Sequence, residues 1–241
     1  MDLVDIHCHL LWGLDDGCRT PEETLEAARA MASLGYTDVA PSPHAQARYA
    51  GGDREASAAR LAEARDRLRD AGLGLRLHPN AENPLDAGFL ASLERGDARG
   101  VGEAERFVLV EFPFADRVED AAGLVARVRA RGALPIVAHP ERCLCFEEPG
   151  AAGAVVRAGG ALQLNIGSLT GRHGKLAAEL AERFLGEGLY AVGGTDLHGP
   201  FDAADWIDEA LTTLERAAGA AELARLCRDN PRRALAGEAL R

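Results

Sequence analysis

Near its start the chain reads DIHCHLLWGLDDG, residues 5–17. His7 and His9 lie two apart in an apolar run with strand character, so both side chains leave one face while Cys8 leaves the other. GTDLHG (194–199) repeats the device with Asp196 and His198. Between them lie His44 in SPH, Glu82 in NAE, Glu111 in VEFP and His139 in AHPER. A lone strand-end histidine is usually structural, and a lone glutamate usually caps a helix or pairs with a cation. The set is harder to explain that way, because clustered imidazoles and carboxylates pay heavily in desolvation and mutual repulsion unless a cation joins them. Mixed nitrogen and oxygen donors suit zinc, manganese or iron rather than a thiolate site. Eight such ligands are too many for one ion and fit two or three, with Glu111 as a candidate bridge. Paired ions can activate a shared water and clamp a phosphoryl group, which makes phosphoester hydrolysis the leading chemistry. Arg142, three residues after His139, is the candidate phosphate-binding guanidinium. Its competing role is a surface ion pair with Glu147 or Glu148.

Other polar residues have weaker claims. Asp15 and Asp16 are candidates either for orienting the ligand histidines or for turn formation before Gly17. Asn165 and Ser168, in QLNIGSLTGRHG (163–174), are placed to hydrogen-bond a substrate or a ligand; His173 in the same stretch reads as a surface residue. His78, beside Pro79, is not counted as a ligand. CRDNPRR (227–233) has the Cys-x5-Arg spacing of cysteine-dependent phosphatases, but it sits in a helical pattern without glycine and is set aside.

The elements that must position these groups alternate along the chain. Strand candidates are 3–7, 37–42, 73–82, 106–112, 133–139, 161–166 and 189–196, and helical patterns fill about 21–34, 54–71, 86–95, 117–131, 150–158, 174–187 and 203–217. Thr20 as N-cap, Pro21 behind it and Glu22 and Glu23 in the first turn mark the first helix start. Gly35, Gly72, Gly132 and Gly188 each follow a helix where a left-handed cap is needed. Seven strand–helix units in series predict a parallel sheet, and runs such as FVLVEF predict burial on both faces. Six of the seven strand ends carry an imidazole or a carboxylate. Such ends share one face in a barrel, so the expected fold is α/β, a distorted (β/α)7 TIM-like barrel, with residues 1–241 forming one domain.

Composition narrows the partners. The formal net charge is −11, with a single lysine, Lys175, and arginines scattered among acidic neighbours, so no basic stripe for nucleic acid is present. No apolar run has the length of a membrane span, and the first residues lack a basic segment followed by a long apolar core, so neither membrane insertion nor a secretory leader is expected. Five unevenly placed cysteines argue against a disulfide framework and for a cytoplasmic location. Cys143 and Cys145 lack the second pair of a structural zinc site.

The ordered set of H-x-H, a strand-end PH, HPER and D-x-H resembles the polymerase and histidinol phosphatase (PHP) superfamily. In its finer spelling, DIHCHLLWGLDDG, PSPH, NAE, LVEFP, AHPER, QLNIGSLTGRHG and GTDLHG, it is similar to the bacterial PHP-type protein-tyrosine phosphatases of capsule and exopolysaccharide clusters, from residue 2 to about residue 200. The resemblance implies a distorted seven-stranded barrel, a trinuclear site often assigned manganese (with iron or zinc as alternatives) and a metal-bridging hydroxide as nucleophile. It implies His7, His9, His44, Glu82, Glu111, His139, Asp196 and His198 as metal ligands, with Arg142, His44 and Glu111 as catalytic candidates. The implied substrate is the phosphotyrosine tail of a bacterial tyrosine kinase that controls polysaccharide export. Two features depart from the family pattern: Cys143 stands where an aromatic usually follows HPER, and no arginine follows D-x-H before Arg216. The second departure bears on phosphate affinity and on the peptide-binding rim. A small-molecule phosphatase of the histidinol-phosphate kind is the alternative within enzymes, and a non-catalytic regulatory protein the alternative outside them. A deep closed pocket would favour the small ester, an open mouth the phosphotyrosine. The helical stripes needed for barrel packing leave the oligomeric state open.

Overall fold

Short buried strands alternate with amphipathic helices along almost the whole chain. The computed structural model describes residues 2–241. Its strands are β1 (Leu3–Asp5), β2 (Tyr36–Val39), β3 (Arg76–Leu77), β4 (Glu82–Pro84), β5 (Phe107–Glu111), β6 (Leu134–Val137), β7 (Ala161–Asn165) and β8 (Tyr190–Gly194). The helices are α1 (Pro21–Ser33), α2 (Arg54–Asp70), α3 (Ala87–Arg95), α4 (Ala121–Ala130), α5 (Ala151–Arg157), α6 (Lys175–Gly186), α7 (Ala203–Ala218), α8 (Ala220–Ala224) and α9 (Asn230–Leu235). Helix ends follow local chemistry. Thr20 accepts a hydrogen bond from Glu23 N with Pro21 in the first turn, and Gly35, Gly72, Gly132 and Gly188 all take positive φ after their helices.

All strand pairs are parallel, in the orders β1-β2-β3 and β4-β5-β6-β7-β8. Two isolated bridges, Cys8 with Leu197 and His44 with Glu82, join the two sheets into a barrel. The predicted strand 73–82 is the one that departs from expectation. It breaks after Leu77, so that β3 pairs with β2 while β4 pairs with β5. Pro79, which has no N–H to donate, stands at the break. Continuity is restored by Glu82 N donating to Pro43 O (3.2 Å) and Ala45 N donating to Glu82 O (2.8 Å). Counted by staves the barrel has seven, the third in two pieces.

The apolar side chains divide by strand alternation into two cores. Val4, Ile6, Leu109, Ile136, Ala138 and Val192 pack together with Val101 and Ala234. Leu3, Val108, Val110, Val137, Leu162 and Leu164 belong instead to the larger cluster that includes the helix residues. Inward and outward positions thus alternate along each strand, as a barrel wrapped by helices requires. α9, which brings Ala234 to the inner cluster, packs on β1 and β8.

Candidate metal centre

The first and last staves meet through backbone hydrogen bonds beyond the ends of β1 and β8. Asp196 N donates to His7 O (2.7 Å) and His9 N to Leu197 O (2.8 Å). This sets the H-x-H and D-x-H pairs side by side. His7 Nε2 and His9 Nε2 lie 3.2 and 3.3 Å from Asp196 Oδ1, while Cys8 faces the apolar core. Gly194 permits the approach, since a Cβ there would lie 3.0 Å from His7 Cβ.

Glu82 is the hub. Its oxygens lie 3.3 Å from His7 Nε2, 3.5 Å from His9 Nε2, 3.0 Å from His44 Nδ1 and 3.0 Å from His139 Nε2, and its side chain is 1% exposed. Glu111, the expected bridge, stands at the edge, 4.0 Å from His44 Nδ1 and 3.9 Å from His139 Nε2, and is 12% exposed. Strand register explains the difference. Glu82 pairs with Leu109, and Pro84 pairs with Glu111. Glu111 therefore sits two residues, roughly 6–7 Å, nearer the mouth.

Asp16 joins the set, a place that its position in a turn did not reveal. Its Oδ1 lies 3.4 Å from His44 Nε2 and 3.5 Å from His198 Nε2. Four overlapping groups of ligand atoms result: His7 with His9 and Asp196, His7 with Glu82 and His139, His44 with Glu82 and Glu111, and His9 with Asp16, His44 and His198. The eight predicted ligands are thus brought together, with Asp16 as a ninth.

The rings are oriented from behind. His7 Nδ1 pairs with Gln163 Oε1 (2.9 Å), which also accepts from His139 N (3.1 Å). His9 Nδ1 pairs with Asp15 Oδ2 (2.7 Å), which accepts from His44 N (3.0 Å) as well. His198 Nδ1 donates to Asp196 O (2.8 Å). Such partners fix the tautomer: Nδ1 carries the proton and Nε2 offers its lone pair. Gln163 and Asn165 face the barrel interior at β7 positions two apart, a period that could have exposed Gln163 in the sequence. Gly17 closes the Asp15 loop onto His9, where a Cβ would lie 2.2 Å from His9 O. His139 (φ 30°) and Asp196 (φ 54°) both adopt left-handed backbone, local strain that turns these two ligand positions off their staves.

The donor set fits divalent cations. His7 Nε2, His9 Nε2, His44 Nδ1 and Glu82 Oε2 are buried and take part in no hydrogen bond, although carboxylate oxygens stand within 3.5 Å of each nitrogen. Imidazole lone pairs facing carboxylate oxygens repel unless a cation lies between them. The electrostatics carry the same message. Burial opposes charge on His7, but Glu82 and Asp196 outweigh it and raise its pKa. Burial likewise opposes charge on Glu82, and His7, His139 and His44 overcome it and hold the carboxyl well below its usual range. At Glu111 burial and the neighbouring Glu82 charge win, pushing the pKa to about 7.

Arg142 lies on the 3-10 turn Pro140–Arg142 directly after His139. It pairs with Asp196 Oδ2, rather than with Glu147 or Glu148, and stacks 4.6 Å over Phe114. Asn165 Nδ2 donates to Asp196 Oδ2 (3.0 Å) and so does contact the site. Ser168 does not: its hydroxyl donates to the buried Glu141 (2.8 Å). His173, expected at the surface, is half-buried, and burial together with the Arg142 charge lowers its pKa to about 4. His78 lies apart from the centre, paired with Asp38 and Glu103. Cys227 is buried in the π-helical stretch Arg225–Asp229, in no phosphate-cradling loop.

A parallel barrel with an oxygen- and nitrogen-lined multi-cation centre at its strand ends defines the class: a metal-dependent hydrolase of TIM-barrel-like architecture. Within that class, residues 3–236 match the family model for capsular polysaccharide synthesis, CpsB/CapC, and the chain belongs to this family. It is 28% identical over 222 residues to the tyrosine-protein phosphatase YwqE of Bacillus subtilis (strain 168), covering 90% of this chain and 85% of that one. It is 22% identical over 237 residues to the tyrosine-protein phosphatase CpsB of Streptococcus pneumoniae, covering 96% and 97%. A crystal structure from work on YwqE and CpsB, there called metal-dependent tyrosine phosphatases, matches with a TM-score of 0.89 at 26% identity, over 99% of this chain and 96% of that one. Among the described residues no helix is long and apolar enough to cross a membrane.

Proposed function

We propose that this protein is a metal-dependent protein-tyrosine phosphatase that dephosphorylates the tail of a bacterial tyrosine kinase controlling capsule or exopolysaccharide synthesis. The observation that carries the reading is the cluster of nine imidazoles and carboxylates, several of whose buried ligand atoms take part in no hydrogen bond, beside the guanidinium of Arg142. Membership of the CpsB/CapC family supports the substrate class.

We assign His7, His9, His44, Glu82, Glu111, His139, Asp196 and His198, joined by Asp16, to two or three divalent cations, manganese first, with iron or zinc as alternatives. Bound cations supply a water of lowered pKa and withdraw charge from the phosphoryl oxygens. Glu82, faced by four imidazoles, would be the ligand most shared among them. Arg142 exchanges Asp196 for the phosphoryl oxygens and orients the ester by a forked pair of hydrogen bonds. Glu111, at the outer edge of the cluster and with a pKa raised to about 7, would be the carboxylate suited to take up a proton there, while His44 would serve as a ligand. Asp15 and Gln163 hold His9 and His7 in the ligating tautomer. We place the reaction in the cytoplasm, in keeping with five cysteines that are all free, and treat residues 1–241 as one catalytic unit.

The mouth favours a peptide-borne ester over a small one. His198 is 38% exposed and Phe114 41%, so aromatic and ligand groups at the rim stand open to solvent rather than under a lid. The test compares hydrolysis of a phosphotyrosine peptide with that of histidinol phosphate, with manganese added and with chelator. Chelator-sensitive turnover of the peptide is the expected result. Turnover of the small ester alone would overturn the substrate assignment, and chelator-insensitive turnover would overturn the metal mechanism.

A further inference from the structure

Beside the metal ligands lies a cavity of about 360 Å³ whose walls include Arg142, Arg172, Asp196, His198, Phe201 and Trp206. That volume falls within the range of roughly 300–1,000 Å³ found for small-ligand sites. It contains two arginines in different states. Arg142 is tied to Asp196. Arg172 has no carboxylate partner among the described residues; its guanidinium lies 4.6 Å over the Trp206 ring. Stacking restrains the plane of a guanidinium and leaves its edge N–H donors unused. Trp206 is itself buried, on the second turn of α7, so the platform is rigid.

Backbone geometry fixes where Arg172 projects. It follows the 3-10 turn Ile166–Thr170, which packs on α7, and stands between Gly171 (φ 79°) and Gly174 (φ 92°). Its N–H donates to Gly167 O (3.2 Å). α7 and the loop before it bring no arginine of their own before Arg216, so Arg172 is the cavity's second guanidinium. At the rim Phe201 is 66% exposed, the most exposed of the large apolar side chains described. Arg172, stacked on Trp206 with its edge donors unused, and Phe201, whose exposed ring has the Arg19 guanidinium 5.9 Å from its centroid, line one cavity with the ligands Asp196 and His198; a cation and an aromatic ring so placed match an ester with a dianionic head and an aryl group.

We propose that Arg172 is a substrate-binding residue that grips the phosphoryl oxygens from the Trp206 wall of the cavity, and that Phe201 packs the aryl ring of the ester. The inference rests on the phosphatase reading and names the subsite that would select its substrate. Arg172→Ala in manganese-loaded protein is expected to weaken inorganic phosphate, measured by calorimetry, about ten- to hundred-fold, as loss of a charge-assisted pair does. KM for a phosphotyrosine peptide should rise in parallel with bound metal unchanged. Arg172→Lys should recover only part of the affinity, because an ammonium neither forks nor stacks as a guanidinium does. Phe201→Ala should raise KM for the phosphotyrosine peptide while leaving KM for an alkyl phosphate, and the phosphate affinity, as in the unmodified protein.

Wild-type phosphate affinity and KM in Arg172→Ala would overturn the assignment, and equal losses on aryl and alkyl esters in Phe201→Ala would overturn the ring contact. Phosphate binding that depends on Arg172, in a protein that does not hydrolyse phosphotyrosine, would sink the proposed function and leave the Arg172 subsite standing. Phosphotyrosine turnover indifferent to Arg172 would do the reverse.

Discussion

Gln163 offers a direct test of how the centre is held. It is fully buried, and its Oε1 accepts from His7 Nδ1 at 2.9 Å and from His139 N at 3.1 Å. Gln163→Met keeps the volume and removes the acceptor. Two buried donors then lose their partner, at about 1–3 kcal/mol each, so apo-protein stability should fall by roughly 2–6 kcal/mol. In a chain of this size each kcal/mol lowers Tm by about 2–4 °C. The His7 ring also loses the bond that keeps its Nε2 lone pair turned toward Glu82 and Asp196. Removal of such an outer partner typically weakens metal binding about 10–100-fold, or roughly 1.4–2.8 kcal/mol. Metal retained per chain after dialysis against graded chelator reads the affinity, and thermal unfolding of stripped protein reads the stability. Gln163→Glu, which keeps an acceptor facing His7, should hold metal at least as well as the unmodified protein. Metal affinity within twofold of wild type in Gln163→Met would refute the claim that Gln163 sets the His7 tautomer.

Three further outcomes follow from the geometry. Glu82→Gln should lose more bound metal per chain than Glu111→Gln, because four imidazoles face Glu82 while Glu111 stands at the edge; elemental analysis of both variants decides, and the opposite ranking would return the bridge to Glu111. Arg142→Ala should chiefly raise KM for a phosphotyrosine peptide if the guanidinium holds ground state and transition state alike, and unchanged KM and kcat would remove it from the site. Asp38 supplies a pH test remote from the centre. Burial opposes its charge, but Arg76 and His78 overcome this and lower its pKa to about 2, so its stabilisation is present above the unfolded value near 4 and is lost as pH falls toward 2. Discounted for the solvent exposure of Arg76, the pair is worth on the order of 1 kcal/mol. Urea midpoints of wild type and Asp38→Asn should therefore differ at pH 6, with the gap narrowing below pH 4 and closing only as pH falls to about 2, and a constant gap would contradict the assignment.

Much of the fold was legible because its signals are local. A cap at Thr20 or a left-handed glycine at position 35 works within one turn of chain, so helix ends fall within a few residues of the sequence reading. The unbroken apolar run in FVLVE was readable because β5 is covered on both faces. The break in the third stave was not legible. Residues 73–82 read as one strand candidate interrupted only by Pro79, and the different partners of β3 and β4 separate its two halves. Pro79 was visible, but a proline alone does not say that the two flanking segments pair with opposite neighbours.

The site divides in the same way. That His7 and His9 share a face, as Asp196 and His198 do, is a property of two-residue alternation and needs no tertiary information. Which carboxylate occupies the centre is a property of stagger between neighbouring strands, and no residue type encodes it. Glu82 reaches the hub because the third stave restarts at Glu82 itself, level with Leu109, after the break has moved the chain from β2 to β5. The break and the hub are thus one feature. At Glu82 the restarted stave bridges His44, beyond the end of β2, on one side and pairs with β5 on the other. From there its two oxygens reach imidazoles of the first, second and fifth staves together. The irregularity that makes this barrel hard to read from its sequence is what lets one carboxylate serve four histidines.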